Sequence, residues 1–79
     1  MLSKDEAQMQ AESFVRGVKV QAWTIFQDLY IFRVEWPFPG EEDSDPFLSV
    51  DKLSGDTREF SVLTDITPEE FNTLKWADV

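Results

Sequence analysis

Residues 18–36, VKVQAWTIFQDLYIFRVEW, decide the fold. Two runs rich in β-branched and aromatic residues, Val18 to Phe26 and Leu29 to Trp36, flank Gln27-Asp28 and read as a β-hairpin. In the second run Tyr30, Phe32, Val34 and Trp36 share one face, and Arg33 and Glu35 take the other. The first run changes parity part-way: Val18, Val20 and Ala22 alternate together, whereas Trp23 and Ile25 fall in the opposite set. A two-residue turn at Gln27-Asp28 pairs Ile25 with Tyr30; a three-residue loop pairs it with Leu29. That single-residue difference exchanges the two faces, and the residues alone leave both registers open. A bulge near Ala22 reconciles the two patterns. Trp36 reads as core, while the side of Trp23 depends on the register.

Upstream, Ser3-Lys4-Asp5-Glu6 is a capping box: the Ser3 hydroxyl accepts from the Glu6 N–H, and the Glu6 carboxylate reaches back to Ser3. Ala7, Ala11, Phe14, Val15 and Val18 then form one apolar stripe, so a first helix is expected over roughly residues 4–16, with Gly17 as its stop. Downstream, Phe47 to Asp51 and Thr57 to Leu63 form a second hairpin about residues 52–56, with Gly55 at the left-handed position. Thr67-Pro68-Glu69-Glu70 is another capping box, with Pro68 at N1 and Ile66 and Phe71 placed as a hydrophobic staple. A short helix from Pro68 to about Trp76 follows, with Trp76 expected to pack it onto the sheet.

The fold expected is therefore a single α+β domain over residues 1–79. It has an N-terminal helix across one face of a four-stranded antiparallel β-meander, and a short C-terminal helix. That second helix either shares the first helix's face or caps an end. If it lies on the opposite face, no apolar patch is left uncovered; otherwise some of Trp23, Ile25, Leu29, Ile31, Phe47 and Leu63, whichever register holds, supply one.

Between the hairpins, residues 37–46 carry Pro37, Pro39, Pro46 and Gly40 among Glu41, Glu42, Asp43 and Asp45, a composition that excludes regular structure. The surrounding charge is lopsided. Residues 1–20 balance Asp5, Glu6 and Glu12 against Lys4, Arg16 and Lys19, so the whole formal charge of −9 falls in residues 21–79. Such a charge repels phosphate backbones and anionic headgroups, so neither direct nucleic-acid binding nor membrane binding is expected.

A chain of 79 residues buries only ~60% of its unfolded surface and holds one core. Seven Phe, three Trp and one Tyr make that core feasible without disulfides, since there is no Cys. There is also no His. The usual general base, thiol nucleophile and soft metal ligands are thus missing, and no catalysis, cofactor or metal is expected. The acidic run lacks the alternating ligand spacing and mid-loop Gly of an EF-hand. No charged N-terminal region precedes an apolar run, and no stretch approaches ~20 apolar residues. A cytoplasmic protein is expected.

The second hairpin, Asp45-Pro46-Phe47-Leu48-Ser49-Val50-Asp51-Lys52-Leu53-Ser54-Gly55-Asp56 running into Arg58-Glu59-Phe60-Ser61, resembles a pattern of small bacterial and phage proteins. There a Pro-aromatic strand enters valine-aspartate-lysine-x-threonine-glycine and a second strand leaves it. With the aromatic hairpin and the Ser3-Lys4-Asp5-Glu6-Ala7 helix start, the chain resembles the YrhB-type domains grouped with polymorphic-toxin immunity proteins. It departs from them in having Asp43-Ser44-Asp45-Pro46 where a Gly-Asn-Gly-Pro-like stretch stands. The resemblance implies a non-catalytic fold that neutralises a toxin, and it transfers no functional residues.

The function expected is a small acidic binding module that occupies a basic surface of a host or toxin protein. Glu41, Glu42, Asp43 and Asp45 would steer the encounter, with Phe38 and Phe47 as apolar anchors. The alternative is a homodimeric assembly module joined through an exposed sheet face or an edge strand. A DNA mimic ranks third, because Lys52, Arg58 and Lys75 interrupt the carboxylates.

Overall fold

A computed structural model describes residues 1–37 and 46–79. Helix α1 (Lys4–Phe14) precedes strands β1 (Lys19–Phe26), β2 (Leu29–Glu35), β3 (Phe47–Asp51) and β4 (Thr57–Glu59). Helix α2 (Pro68–Thr73) and strand β5 (Ala77–Asp78) complete the described chain. The strands form one antiparallel sheet in the order β4-β3-β2-β1-β5. The class is α+β, with a helix at each end as expected. The strand count is corrected from four to five, because β5 returns along the outer side of β1 at Ala22 and Trp23.

The first hairpin uses the two-residue turn, which pairs Ile25 with Tyr30 and Phe26 with Leu29. Gln27 takes φ +54°, the positive value that hairpin turns of this length require at their first central position. Further along β1, Val20 opposes Val34 and Ala22 opposes Arg33, so Gln21 is an extra residue. This bulge explains the broken parity: Val18 and Val20 before it, and Trp23 after it, all reach the same face.

Helix α1 covers that face. Ala7 and Ala11 are both 0% exposed and let the helix settle close onto Val18, Tyr30, Phe32, Val34, Leu48 and Val50. Val20, Trp23 and Trp36 pack against the same cluster. Phe14, assigned by its spacing to the apolar stripe, is instead 45% exposed. The helix ends there because Val15 is already extended, and Gly17 follows at φ +90° with Pro37 against it. The Ser3–Glu6 capping box forms. The segment before it is anchored by the Leu2 N–H donating to the Lys52 carbonyl at 2.7 Å and the Tyr30 hydroxyl donating to the Leu2 carbonyl at 3.0 Å.

The opposite face gathers Ile31, Phe47, Phe60 and Ile66, with Phe26, Leu29, Val62, Phe71, Leu74 and Trp76 around them. Thr67 and Glu70 form the second capping box, and Ile66 and Phe71 join one cluster as a staple should. The helix stops at Thr73, short of Trp76, because Leu74 turns extended at φ −67°, ψ 139°. Leu74 and Trp76 then reach the sheet with the spacing of a strand. Strand β4 also ends early, at Glu59; the Phe60 N–H still donates to the Phe47 carbonyl, but Ser61 enters a turn closed by Asp65. Leu63 therefore leaves the sheet and stands 86% exposed. Because the C-terminal segment packs opposite α1, Leu29, Ile31 and Phe47 of the expected apolar patch are covered, while Ile25 stays 46% exposed. Among the described residues no helix is long and apolar enough to cross a membrane.

Ala11→Leu has no room between α1 and the sheet and is expected to cost about 1–3 kcal/mol in urea denaturation. Gln27→Asn keeps the turn, tolerates the left-handed backbone better, and is expected to add about 0.5–1 kcal/mol by the same measurement.

Candidate functional site

Electrostatics and exposed side chains define the surface available to partners. The ion pair formed among the described residues is Lys4 Nζ to Asp5 Oδ1 at 3.0 Å, inside the neutral first twenty residues. Among the described residues, none of the acids from Asp28 onward has a Lys or Arg within ion-pair distance. Asp28, Glu35, Asp56, Glu59, Asp65, Glu69, Glu70 and Asp78 all lie exposed. Two of the lysines lie over rings instead: Lys4 Nζ sits 5.8 Å from the Trp23 centroid and Lys52 Nζ 5.2 Å from that of Tyr30. The described acids from Asp28 onward therefore have no ion-pair partner among the described residues.

Several of these carboxylates shape the backbone. Asp51 accepts from the N–H groups of Leu53 and Ser54 at 2.8 and 3.0 Å, and the Gly55 N–H donates to the Asp51 carbonyl. That turn places Gly55 at φ +79° and leaves Leu53 72% exposed. In the second turn, Asp65 accepts from the Ser61 N–H at 2.9 Å and the Ser61 hydroxyl accepts from the Leu63 N–H. Both turns therefore hold a leucine outward beside carboxylates.

Phe38, Glu41, Glu42, Asp43 and Asp45, expected to make the partner contact, lie outside the described residues. Phe47 is described, and its expected role as an exposed anchor is corrected. Its ring is 8% exposed, packed against Phe71 at 5.8 Å and Trp76 at 5.6 Å. Its pairing with Arg33, which in turn opposes Ala22, puts it on the face that the C-terminal segment packs against. Leu53, which the alternation of strands does not reach because it occupies a turn, and Leu63, expected on a sheet face, both stand outward.

A groove of about 400 Å³ lies along the end of β1, between Trp23–Gln27 and Thr73–Ala77. Thr24, buried there, donates its hydroxyl to the Lys75 carbonyl at 2.9 Å. The sequence signal for this feature was the change of spacing after the helix, from Phe71–Leu74 to Leu74–Trp76. Among the described residues no cluster of acids is arranged to hold a metal ion. No protein-family model, curated protein or solved structure matches this chain.

Backbone N–H donors hold two carboxyls below their ordinary range: Ser3 does so for Glu6, and Ser54 followed by Leu53 for Asp51. A depressed carboxyl adds stability above its unfolded value and loses it as pH falls through the folded one. Folding stability is therefore expected to decline on acidification below the ordinary values of 4.5 and 3.8. A Glu6→Gln/Asp51→Asn variant, which keeps the acceptor oxygens but cannot titrate there, is expected to decline less steeply in urea titrations across that range.

Proposed function

We propose that this chain is a small acidic protein-binding module, of the immunity-protein or phage-encoded inhibitor type, that occupies a basic surface of another protein. The observation that carries this reading is the uncompensated charge: exposed acids from Asp28 onward have no internal cation among the described residues. A partner's Lys and Arg groups then meet carboxylates that give up no existing ion pair, which favours fast, salt-sensitive association. Leu53 and Leu63 stand beside those acids and offer the apolar contact that the buried Phe47 does not. Glu41, Glu42, Asp43 and Asp45 add the densest block of charge in the sequence. The likeness to YrhB-type immunity domains in the second hairpin points the same way. A homodimer built on an uncovered sheet face fits less well, since both faces are packed.

Affinity capture from the native host, read by mass spectrometry, tests the reading. The wild-type chain is expected to retain a basic protein that elutes between 0.1 and 0.5 M salt, about the range over which charge steering is screened. Reversing Glu41, Glu42, Asp43 and Asp45 to Lys should abolish retention. Retention of one partner regardless of salt and of reversal would contradict the proposal. Leu53→Ala/Leu63→Ala is expected to weaken the captured complex while changing folding stability by no more than about 0.5 kcal/mol per site, as exposed substitutions do.

A further inference from the structure

The C-terminal segment is fastened to the sheet far more lightly than the central strands are fastened to one another. Helix α2 buries none of its residues. Strand β5 is two exposed residues, Ala77 and Asp78, paired with two of the eight residues of β1. Beyond it the Val79 N–H reaches the Gln21 carbonyl at 3.4 Å, a long bond. The other fastenings are the Thr24–Lys75 bond and the packing of Phe71, Leu74 and Trp76 on Phe47, and all three of those side chains are only partly buried. The groove between Thr73–Ala77 and the end of β1 shows that segment and strand do not close along their shared length. By contrast, Ile31, Phe32, Leu48 and Val50, at the centre of β2 and β3, are 0% exposed.

We propose that residues 67–79 form a strap that opens while the β1–β4 meander stays folded, and that opening turns β1 into a free strand edge. Segments with little buried apolar surface open locally at lower free energy than the whole domain. Release breaks the two-residue ladder and the Thr24–Lys75 bond, and it uncovers Phe47 and Ile31. The backbone donors and acceptors on the outer side of an eight-residue strand then face solvent. The opposite edge, β4, needs no such cover: it is three residues long and carries Arg58 and Glu59. The strap thus covers the longer of the sheet's two edges.

Native-state hydrogen exchange on the full chain at neutral pH tests this. The amides of Phe71, Leu74 and Val79 are expected to exchange at least about 100-fold faster than those of Ile31, Phe32 and Val50, as a sub-global opening requires. Ala22 and Asp78 are direct partners in the ladder and the chain has no Cys, so Ala22→Cys/Asp78→Cys can form a single bridge. Oxidation of that variant should slow the strap amides about tenfold or more, and reduction should restore them. Should the bridge not form, Phe71→Ala supplies the same test in the other direction, speeding the strap amides while Ile31 and Val50 stay within about twofold. Exchange of strap and central strands in step, in the wild type or in Phe71→Ala, would overturn the proposal.

Discussion

Between Val20 and Ala22 the first strand carries one residue that β2 does not match, and most of the architecture follows from that mismatch. Side chains alternate along a strand, so an unbroken β1 would send Val18 and Val20 to one face and Trp23 to the other. With Gln21 bulged, Val18, Val20 and Trp23 all face α1, and Ala22 and Thr24 turn to the far side beside Arg33 and Ile31. On that far side the Thr24 hydroxyl donates to the Lys75 carbonyl, just before β5 pairs with the edge of β1. The exposed Gln21 also serves the strand edge, accepting from Val79 and donating its side-chain amide to Glu35. One irregularity thus sets which face each side chain of β1 joins.

A sheet packed on both faces has only its perimeter left for recognition. There the structure places turns, two strand edges and most of the carboxylates. The turn built by Asp51 and the one built by Ser61 and Asp65 spend backbone hydrogen bonds on local geometry and leave Leu53 and Leu63 to solvent. Lys4 lies over Trp23, where it ties α1 to the sheet, and Lys52 lies over Tyr30, beside the turn after β3. Among the described residues, folding therefore leaves the charge imbalance of the chain's second half without internal ion pairs.

Features governed by local chemistry were legible in the residues. Both capping boxes, Gly55 at positive φ and the Tyr30–Phe32–Val34 face stand where their spacing puts them. What escaped reading depended on distant contacts. The hairpin register needed the Gln27 backbone conformation, which no residue preference dictates. Phe47 follows the acidic run and looked like its apolar companion, yet the β2 ladder turns it toward Trp76. Residues 60–63 alternate like a strand, but the Asp65 carboxylate captures the Ser61 N–H and ends the ladder. Strand β5 is too short to announce itself, being held by its neighbour and not by propensity. The acids at 41–45 were legible only as composition.

The salt dependence of folding stability at neutral pH tests most directly whether the charge is truly unpaired. Screening weakens self-repulsion when like charges dominate, and weakens internal ion pairs when those dominate. Urea denaturation of the full chain in sodium chloride from about 0.01 to 0.5 M, spanning Debye lengths from roughly 30 Å to under 8 Å, separates the two cases. The account predicts stability that rises with salt. Stability that falls with salt would show the carboxylates bound to cations of the same molecule, and would contradict it.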